Sequence, residues 1–565
     1  MSLPTRALDA YRDSVVAPLE GRLFERLLGL PPATTRNVRI TRNIRVPMPD
    51  GVELVADLYE PIGVPVVGTV MSRTPYARVG MTSRATAMPF AERGFNVLLQ
   101  SCRGTHGGSG GAWDPVVNEE SDGLATLDWI ERQPWFNGKL FTYGPSYVGI
   151  TQLALLPGAG NRITAALPQV TNTAINEALF PGGVFFTALG VQWIRRLKLL
   201  ETSALLADFV EIIGDRTAQR AMNTVPLTAA DKAATGRTVP YFQDWMSAGT
   251  GRDDPYWKGA REFRSRVRDI VAPVNFYAAW QDFMLLGQID DYQLMRAAGR
   301  EPYLTIGNHP HVHTETMAGG FREGFAWFTA MASGDPASYR DQPVKLFMQG
   351  SDEWRYYESF PPAASSDQTW YLRPDGGLTA DEPGRGTPRR FRWDPRDPTP
   401  SFGGAMLDPK LSGRKPQAER ENRADVIVYS SELLDRPVEV IGAVIAHIVV
   451  RTSAPFGDLF VRLCDVDSAG VSTNVCDGIQ RMDDLPPPGE NDIRTVTVRL
   501  LPTAYRFASG HRLRIQVCGG SFPHFTPNAG SGEPQGTATR RVPVDYELLP
   551  GSAGTLSVMP SEGQS

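Results

Sequence analysis

The hydrophobic and polar positions divide the chain into stretches of different period. From residue 36 apolar and polar residues alternate, through Val38 and Ile40 and then through Val52, Leu54, Ala56 and Leu58, with Met48-Pro49-Asp50-Gly51 between them. Period-two alternation broken by a Pro-Asp-Gly turn predicts a β-hairpin. Residues 66–71 and 95–100 are near-continuous apolar runs, as expected of strands buried on both faces. Residues 82–93 and 120–133 predict helices, residues 138–142 another strand, and residues 150–156 the start of a further helix. Strand and helix in alternation imply a mostly parallel sheet with crossover helices, whose functional loops lie at the carboxyl ends of the strands.

Residues 165–170 read as one more strand, and then the rhythm breaks. Residues 173–256 carry helical stretches, 185–200 and 203–213 among them, with no strand of comparable strength. That composition predicts a helical cap over the mouth of the sheet. The cap's Trp193, Tyr241, Phe242, Trp245 and Trp257 are candidates to line an apolar pocket or to form the cap's own core. Strand and helix resume with 274–280 and 303–306. Beyond residue 343 short alternating runs separated by Gly, Pro, Asp and Ser predict an antiparallel sandwich or jelly roll, with 381–400 and 411–423 as irregular connections. The expected plan is therefore an N-terminal helical extension (1–35), a sheet domain in two parts (36–172 and 261–342) interrupted by the cap (173–260), and a C-terminal β-sandwich (343–565).

Composition narrows the function classes. A net charge of −5 with no basic stripe gives no reason to expect nucleic acid. No run approaches the ~18 apolar residues of a membrane span. The first 30 residues alternate charged and apolar positions and lack the continuous core of a signal peptide, so a cytoplasmic protein is expected. They read as amphipathic helices, candidates to pack on the body or on a second copy in a homodimer. Cys102, Cys464, Cys476 and Cys518 show no metal-ligand spacing and read as reduced thiols.

The candidate chemistry centres on Tyr143-Gly144-Pro145-Ser146-Tyr147-Val148-Gly149, between a predicted strand and a predicted helix. A serine at such a turn presents an exposed hydroxyl, although the nucleophile-elbow pattern G-x-S-x-G would place glycine where Val148 stands. A serine needs an imidazole to take its proton and a carboxylate to orient that imidazole. The ends of the two later strands supply Asp282 and His311, in the α/β-hydrolase order Ser…Asp…His. His309 and His313 are alternative bases. Asp290 and Asp291 read as the solvated face of a helix. In an extended strand His309, His311 and His313 would face one side, the pattern of a rival metal site, but no second ligand motif accompanies them.

Further motifs carry a resemblance. Arg73-Thr74-Pro75-Tyr76, Arg103-Gly104, Asp122-Gly123, Gln133-Pro134-Trp135, Gly144-Pro145-Ser146-Tyr147 with Gly149, Trp280-Gln281-Asp282, Ile306-Gly307 with His311, and Gly510-His511-Arg512-Leu513 resemble the cocaine esterase and X-prolyl dipeptidyl peptidase group, the CocE/NonD hydrolases. The resemblance spans nearly everything after residue 36, and that group's elbow carries its second glycine one place late. It implies an α/β-hydrolase domain with a helical cap and a C-terminal jelly roll. It also implies Ser146 as nucleophile, His311 as base, Asp282 as its partner, and an oxyanion hole from the Tyr76 hydroxyl and the Tyr147 N–H. Trp193, Trp245 and Phe283 are the expected substrate-binding residues.

The expected activity is hydrolysis of a small carboxylic ester through an acyl-serine, without metal or organic cofactor. The alternatives are amide or X-Pro peptide hydrolysis, acyl transfer, or a non-catalytic binding protein. Members that accept α-amino substrates need acidic residues for the ammonium group, and Glu177, Asp208, Asp244, Asp253 and Asp254 are the cap's candidates.

Overall fold

The computed structural model describes residues 17–78, 81–105, 109–249, 254–382, 384 and 386–560; the side chains of 17–20, 81–84, 205, 208 and 211–213 are also left undescribed. Residues 1–16, His106 and Asp253 thus lie outside the described residues. Ten strands form one sheet: β1 (Val38–Pro47), β2 (Glu53–Pro61), β3 (Gly68–Thr74), β4 (Phe95–Ser101), β5 (Leu140–Pro145), β6 (Ala165–Gln169), β7 (Asn275–Gln281), β8 (Tyr303–Pro310), β9 (Val344–Met348) and β10 (Glu353–Tyr357). Their order is β1-β2-β4-β3-β5-β6-β7-β8-β9-β10. Neighbours from β4 to β9 run parallel, and the outer strands β1, β2 and β10 are antiparallel to theirs.

The apolar runs explain which strands sit in the middle. Every residue of β3, β4 and β7 is buried, whereas β1, at the edge, alternates. Helices Glu119–Glu131, Tyr147–Ala159 and Leu285–Ala297 cover one face of the sheet, with Leu127, Leu153, Leu155 and Ile289 in its core. Met81–Ala91, Thr314–Ser333 and Ala17–Leu27 cover the other through Phe90, Phe321, Phe328 and Phe24. Helix Tyr147–Ala159 is apolar on all sides and nearly all buried, as a helix must be when it carries no solvent face.

After β6 the chain enters the cap, a group of short helices from Ile175–Leu179 to Pro240–Ala248 that shares one apolar core with the C-terminal domain. That domain contains antiparallel sheets of seven and four strands, packed through Trp393, Ile448, Val461, Val498, Val517 and Tyr546. Residues 381–400, expected to be irregular, include the strand Arg389–Trp393, which pairs with Val544–Leu548. Its alternation of Arg with Phe391 and Trp393 is the missed signal. Gln281 Nε2 donates to Val475 O at 3.1 Å, and Gln349 N to Ala504 O at 2.9 Å, so the sandwich is bonded to the functional end of the sheet. Thr526 N donates to Phe185 O at 2.9 Å and ties the sandwich to the cap.

The segment leading into the cap is clamped on helix Leu285–Ala297. Asn172 Nδ2 donates to Met284 O at 2.9 Å, and Thr173 donates to Asp291 through its N–H at 2.8 Å and its hydroxyl at 2.5 Å. The solvated-face reading of Asp290 and Asp291 is therefore wrong. Asp290 pairs with Arg264 at 2.6 Å and Asp291 is fully buried, because the cap's first residues cross the helix there, a contact that helical periodicity does not contain.

Burial pushes the Asp291 carboxyl up to about 7, against the Thr173 hydrogen bonds. A carboxyl whose folded-state pKa lies above its unfolded value holds a proton that the unfolded chain has released, so stability falls as pH rises between the two values. The thermal midpoint should decline from about pH 4 toward pH 7 more steeply in the native chain than in Asp291→Asn; equal slopes would contradict this account.

Candidate active site

Ser146 joins β5 to helix Tyr147–Ala159 with φ 56° and ψ −127°. A non-glycine residue held in so sparsely populated a region costs of order 1–3 kcal/mol, and the surroundings impose it. The Ser146 N–H donates to Gln169 O at the end of β6 at 2.9 Å, and the Ser146 carbonyl accepts from Gly149 and Ile150 at 2.8 and 3.1 Å. Gly144 has φ 154°, and a Cβ there would lie 2.1 Å from Val148 Cγ1. A Cβ on Gly149 would lie 2.4 Å from Thr171 Cγ2. The displaced second glycine thus has a physical reason. Val148 fills the space left by Gly144, and the helix meets the segment after β6 one residue later.

Ser146 keeps part of its surface exposed. Trp193 Nε1 donates to Tyr76 Oη at 3.1 Å. Burial pushes the Tyr76 phenol up, and the bond from Trp193 and the nearby Ser146 hydroxyl oppose that only in part, so Tyr76 keeps its proton at neutral pH. Tyr147 is the first residue of its helix, and its N–H has no intrahelical acceptor.

At the ends of β7 and β8, His311 Nδ1 lies 2.9 Å from Asp282 Oδ1, which also accepts from Met284 N at 2.8 Å. Asp282 is fully buried and His311 nearly so. An imidazole with Nδ1 on a carboxylate carries its proton there and leaves Nε2 as the basic nitrogen. The rings of His309 and His313 stack on each other 4.4 Å apart, and His313 Nδ1 accepts from Glu315 N at the start of helix Thr314–Ser333. Burial, then the charge of His313, push His309 below its usual range. The three histidines do not share one side, because β8 ends at Pro310 and the chain turns at His311. Among the described residues no group of three or more His, Cys, Asp or Glu side chains is placed to hold a metal ion. No described helix is long and apolar enough to cross a membrane.

Trp193, bonded to Tyr76, belongs to a cluster of aromatic rings. Trp193 stacks on Tyr147 at 6.0 Å and on Trp245 at 5.9 Å, while Trp113 meets Tyr147, Trp193 and Tyr241 at 5.5–5.9 Å. Trp245, 3% exposed, stands behind Trp193 in the cap's core. Phe283 packs on the His311 ring at 4.4 Å and edge-on to Phe186 at 5.4 Å. Beyond Phe283 opens a cleft of about 470 Å³ between sheet domain, cap and sandwich, walled by Phe180, Phe186, Phe283, Asp477, Ile479 and His524. Burial lowers His524 to about 4, so this ring is neutral. Trp113, Phe186 and His524 escaped the sequence reading because only tertiary packing brings them here; no local motif marks them.

Of the cap's acidic candidates, Glu177 lines this cleft but is held in an ion pair. Glu177 pairs with Arg264 at 3.1 Å, Asp254 accepts from Tyr256 N at 2.8 Å, and Asp244 is exposed. Asp253 and the Asp208 side chain lie outside the described residues.

Residues 50–313 match the family model for X-Pro dipeptidyl-peptidase (S15 family), and residues 338–551 match that for the X-Pro dipeptidyl-peptidase C-terminal non-catalytic domain. The chain is 28% identical over 548 residues to cocaine esterase from a Rhodococcus species, covering 88% of this chain and 93% of that protein. Its fold resembles an aminopeptidase from a marine sediment Thaumarchaeota archaeon (TM-score 0.79, 18% identity, 93% of this chain and 96% of that one). It also resembles an α-amino acid ester hydrolase (TM-score 0.77, 19% identity, 94% and 98%).

The elbow geometry predicts distinct costs at two glycines. Gly160→Ala carries a positive-φ penalty alone, since a Cβ there meets nothing within 4 Å, whereas Gly144→Ala adds a collision with Val148. Overpacking typically costs about 1–3 kcal/mol. The thermal midpoint should therefore fall further in Gly144→Ala than in Gly160→Ala, and equal midpoints would contradict the packing described.

Proposed function

Since the chain belongs to the S15-type hydrolases, with a catalytic α/β-hydrolase domain followed by the C-terminal β-rich non-catalytic domain, we propose that it cleaves a carboxylic ester through an acyl-enzyme on Ser146. The observation that carries this reading is the buried Asp282–His311 pair at the same rim of the sheet as a serine held at positive φ. In the first half-reaction His311 Nε2 takes the Ser146 proton as the hydroxyl oxygen attacks the carbonyl carbon. Asp282 holds the imidazole in the required tautomer and stabilises its charged form. The Tyr76 hydroxyl and the Tyr147 N–H donate to the oxyanion, a stabilisation that exists only once charge has developed. His311 then passes the proton to the leaving alcohol. Water repeats the sequence, giving up a proton to His311 and releasing the acid.

The aromatic cluster joined to Tyr76 through Trp193 fits an apolar acyl group, and the cleft beyond Phe283 can take the larger remaining part of the substrate. A volume of about 470 Å³ suits a small organic molecule. Amide hydrolysis is the second reading, favoured by the match to X-Pro dipeptidyl-peptidase, and it would use the same acyl-enzyme.

Ser146→Ala should lower kcat for p-nitrophenyl esters by ~10³ or more, with Asp282→Asn and His311→Ala each lowering it by ~10²–10⁴. Hydrolysis of an X-Pro p-nitroanilide with higher kcat/KM than any ester would favour the second reading. Ester hydrolysis undiminished in Ser146→Ala would overturn both.

A further inference from the structure

Beneath the elbow lies a buried cluster that the proposed chemistry does not use. Glu119, 3% exposed, opens helix Glu119–Glu131. The Tyr147 hydroxyl donates to Glu119 Oε1 at 3.0 Å and accepts from Val116 N at 2.7 Å. Arg73, on β3, holds Nη2 3.0 Å from Glu119 Oε2 and donates through Nη1 to the Glu119 carbonyl at 2.7 Å and through Nε to Gln100 Oε1 at 3.0 Å. Cys102 Sγ lies 3.6 Å from Glu119 Oε2. Three residues after Arg73 the chain reaches Tyr76, whose N–H donates to Thr74 Oγ1 at 3.0 Å. Thr151, on the elbow's helix, donates its hydroxyl to Arg73 O at 3.3 Å. One ion pair therefore connects the strand that leads to Tyr76 with the ring of Tyr147.

Stripping water from both charges makes a buried ion pair no better for stability than apolar packing of the same shape. What it supplies is directed bonding, and here the bonds end on the hydroxyl of Tyr147, while Arg73 stands three residues before Tyr76 in the same stretch of chain. The Tyr147 ring is held at its hydroxyl by Glu119 and Val116 and on its faces by Trp193 and Trp113. Burial, then the charge of Glu119, push its phenol well above the usual range, so the hydroxyl remains a donor. With the ring fixed at its hydroxyl and packed against two tryptophans, its χ1 and χ2 are set, so the position of the ring and that of the N–H on the same residue are tied together.

We propose that Glu119, held by Arg73, is a positioning residue of the oxyanion hole: it anchors Tyr147 from below and sets the spacing between the Tyr147 N–H and the Tyr76 hydroxyl. This rests on the oxyanion assignment above. A donor displaced by ~1 Å can cost on the order of 10² in rate, and because the oxyanion forms only on the way to the tetrahedral intermediate, the loss falls on kcat and not on KM.

The test is steady-state hydrolysis of a p-nitrophenyl ester by Tyr147→Phe, which keeps the ring and removes the hydroxyl, and by Glu119→Gln, with active sites counted by fluorophosphonate titration and affinity measured for a trifluoromethyl ketone. The expected result is a fall in kcat per titrated site of about fivefold or more in both variants, a parallel loss of ketone affinity, and KM within about twofold. A purely structural role would reduce the number of titratable sites and leave kcat per site unchanged. A fall of less than about fivefold per site in Tyr147→Phe overturns the proposal even if Glu119→Gln does not fold. Tyr76→Phe separates the two levels. If it lowers kcat while Tyr147→Phe does not, the positioning role fails and the oxyanion assignment stands; if neither does, the assignment itself has failed.

Discussion

The positive-φ turn at Ser146 is the constraint on which the rest depends. A serine does not adopt that conformation unaided, and the surrounding contacts show what enforces it. Val148 occupies the volume that Gly144 leaves, Gly149 lets the helix pass Thr171, and the Ser146 N–H is bonded to the end of β6. Each contact requires β5 to be central and its helix to be buried on every side. The apolar composition of Ile150 to Leu156 is thus a condition of the turn as well as a source of core.

The other parts of the site inherit their positions from the same sheet. Asp282 and His311 end the neighbouring parallel strands β7 and β8, and their hydrogen bond spans that boundary. Gln281, immediately before Asp282, is bonded to the sandwich, while the segment after β6 is bonded to the helix that follows Asp282. The C-terminal domain and the cap therefore brace the strand end that bears the carboxylate. They also close the cleft beyond Phe283, whose walls come from all three parts of the chain.

Sheet, cap and sandwich were legible in the sequence because period and composition are local properties. Ser146, Asp282 and His311 stood out because topology alone brings the ends of parallel strands to one rim. The three-histidine alternation, read as a rival metal pattern, does not persist in the fold, since a strand ending at Pro310 cannot carry its period through His311. Asp291 read as solvated because helical periodicity does not reveal that residues 171–173 cross its face. Glu119 and Trp113 stayed silent for the same reason: one is an acidic residue at an ordinary helix start, the other a lone aromatic in a loop, and only packing against Tyr147 gives either a place in the site.

The central claim is that Ser146 is the nucleophile and His311 its base. Its most direct test is mass spectrometry of the chain after reaction with a fluorophosphonate, with the adduct located by peptide mapping. The account predicts one phosphonyl adduct, on Ser146, forming much more slowly in His311→Ala at unchanged fold. An adduct on any other residue, or one that persists in Ser146→Ala, would contradict it.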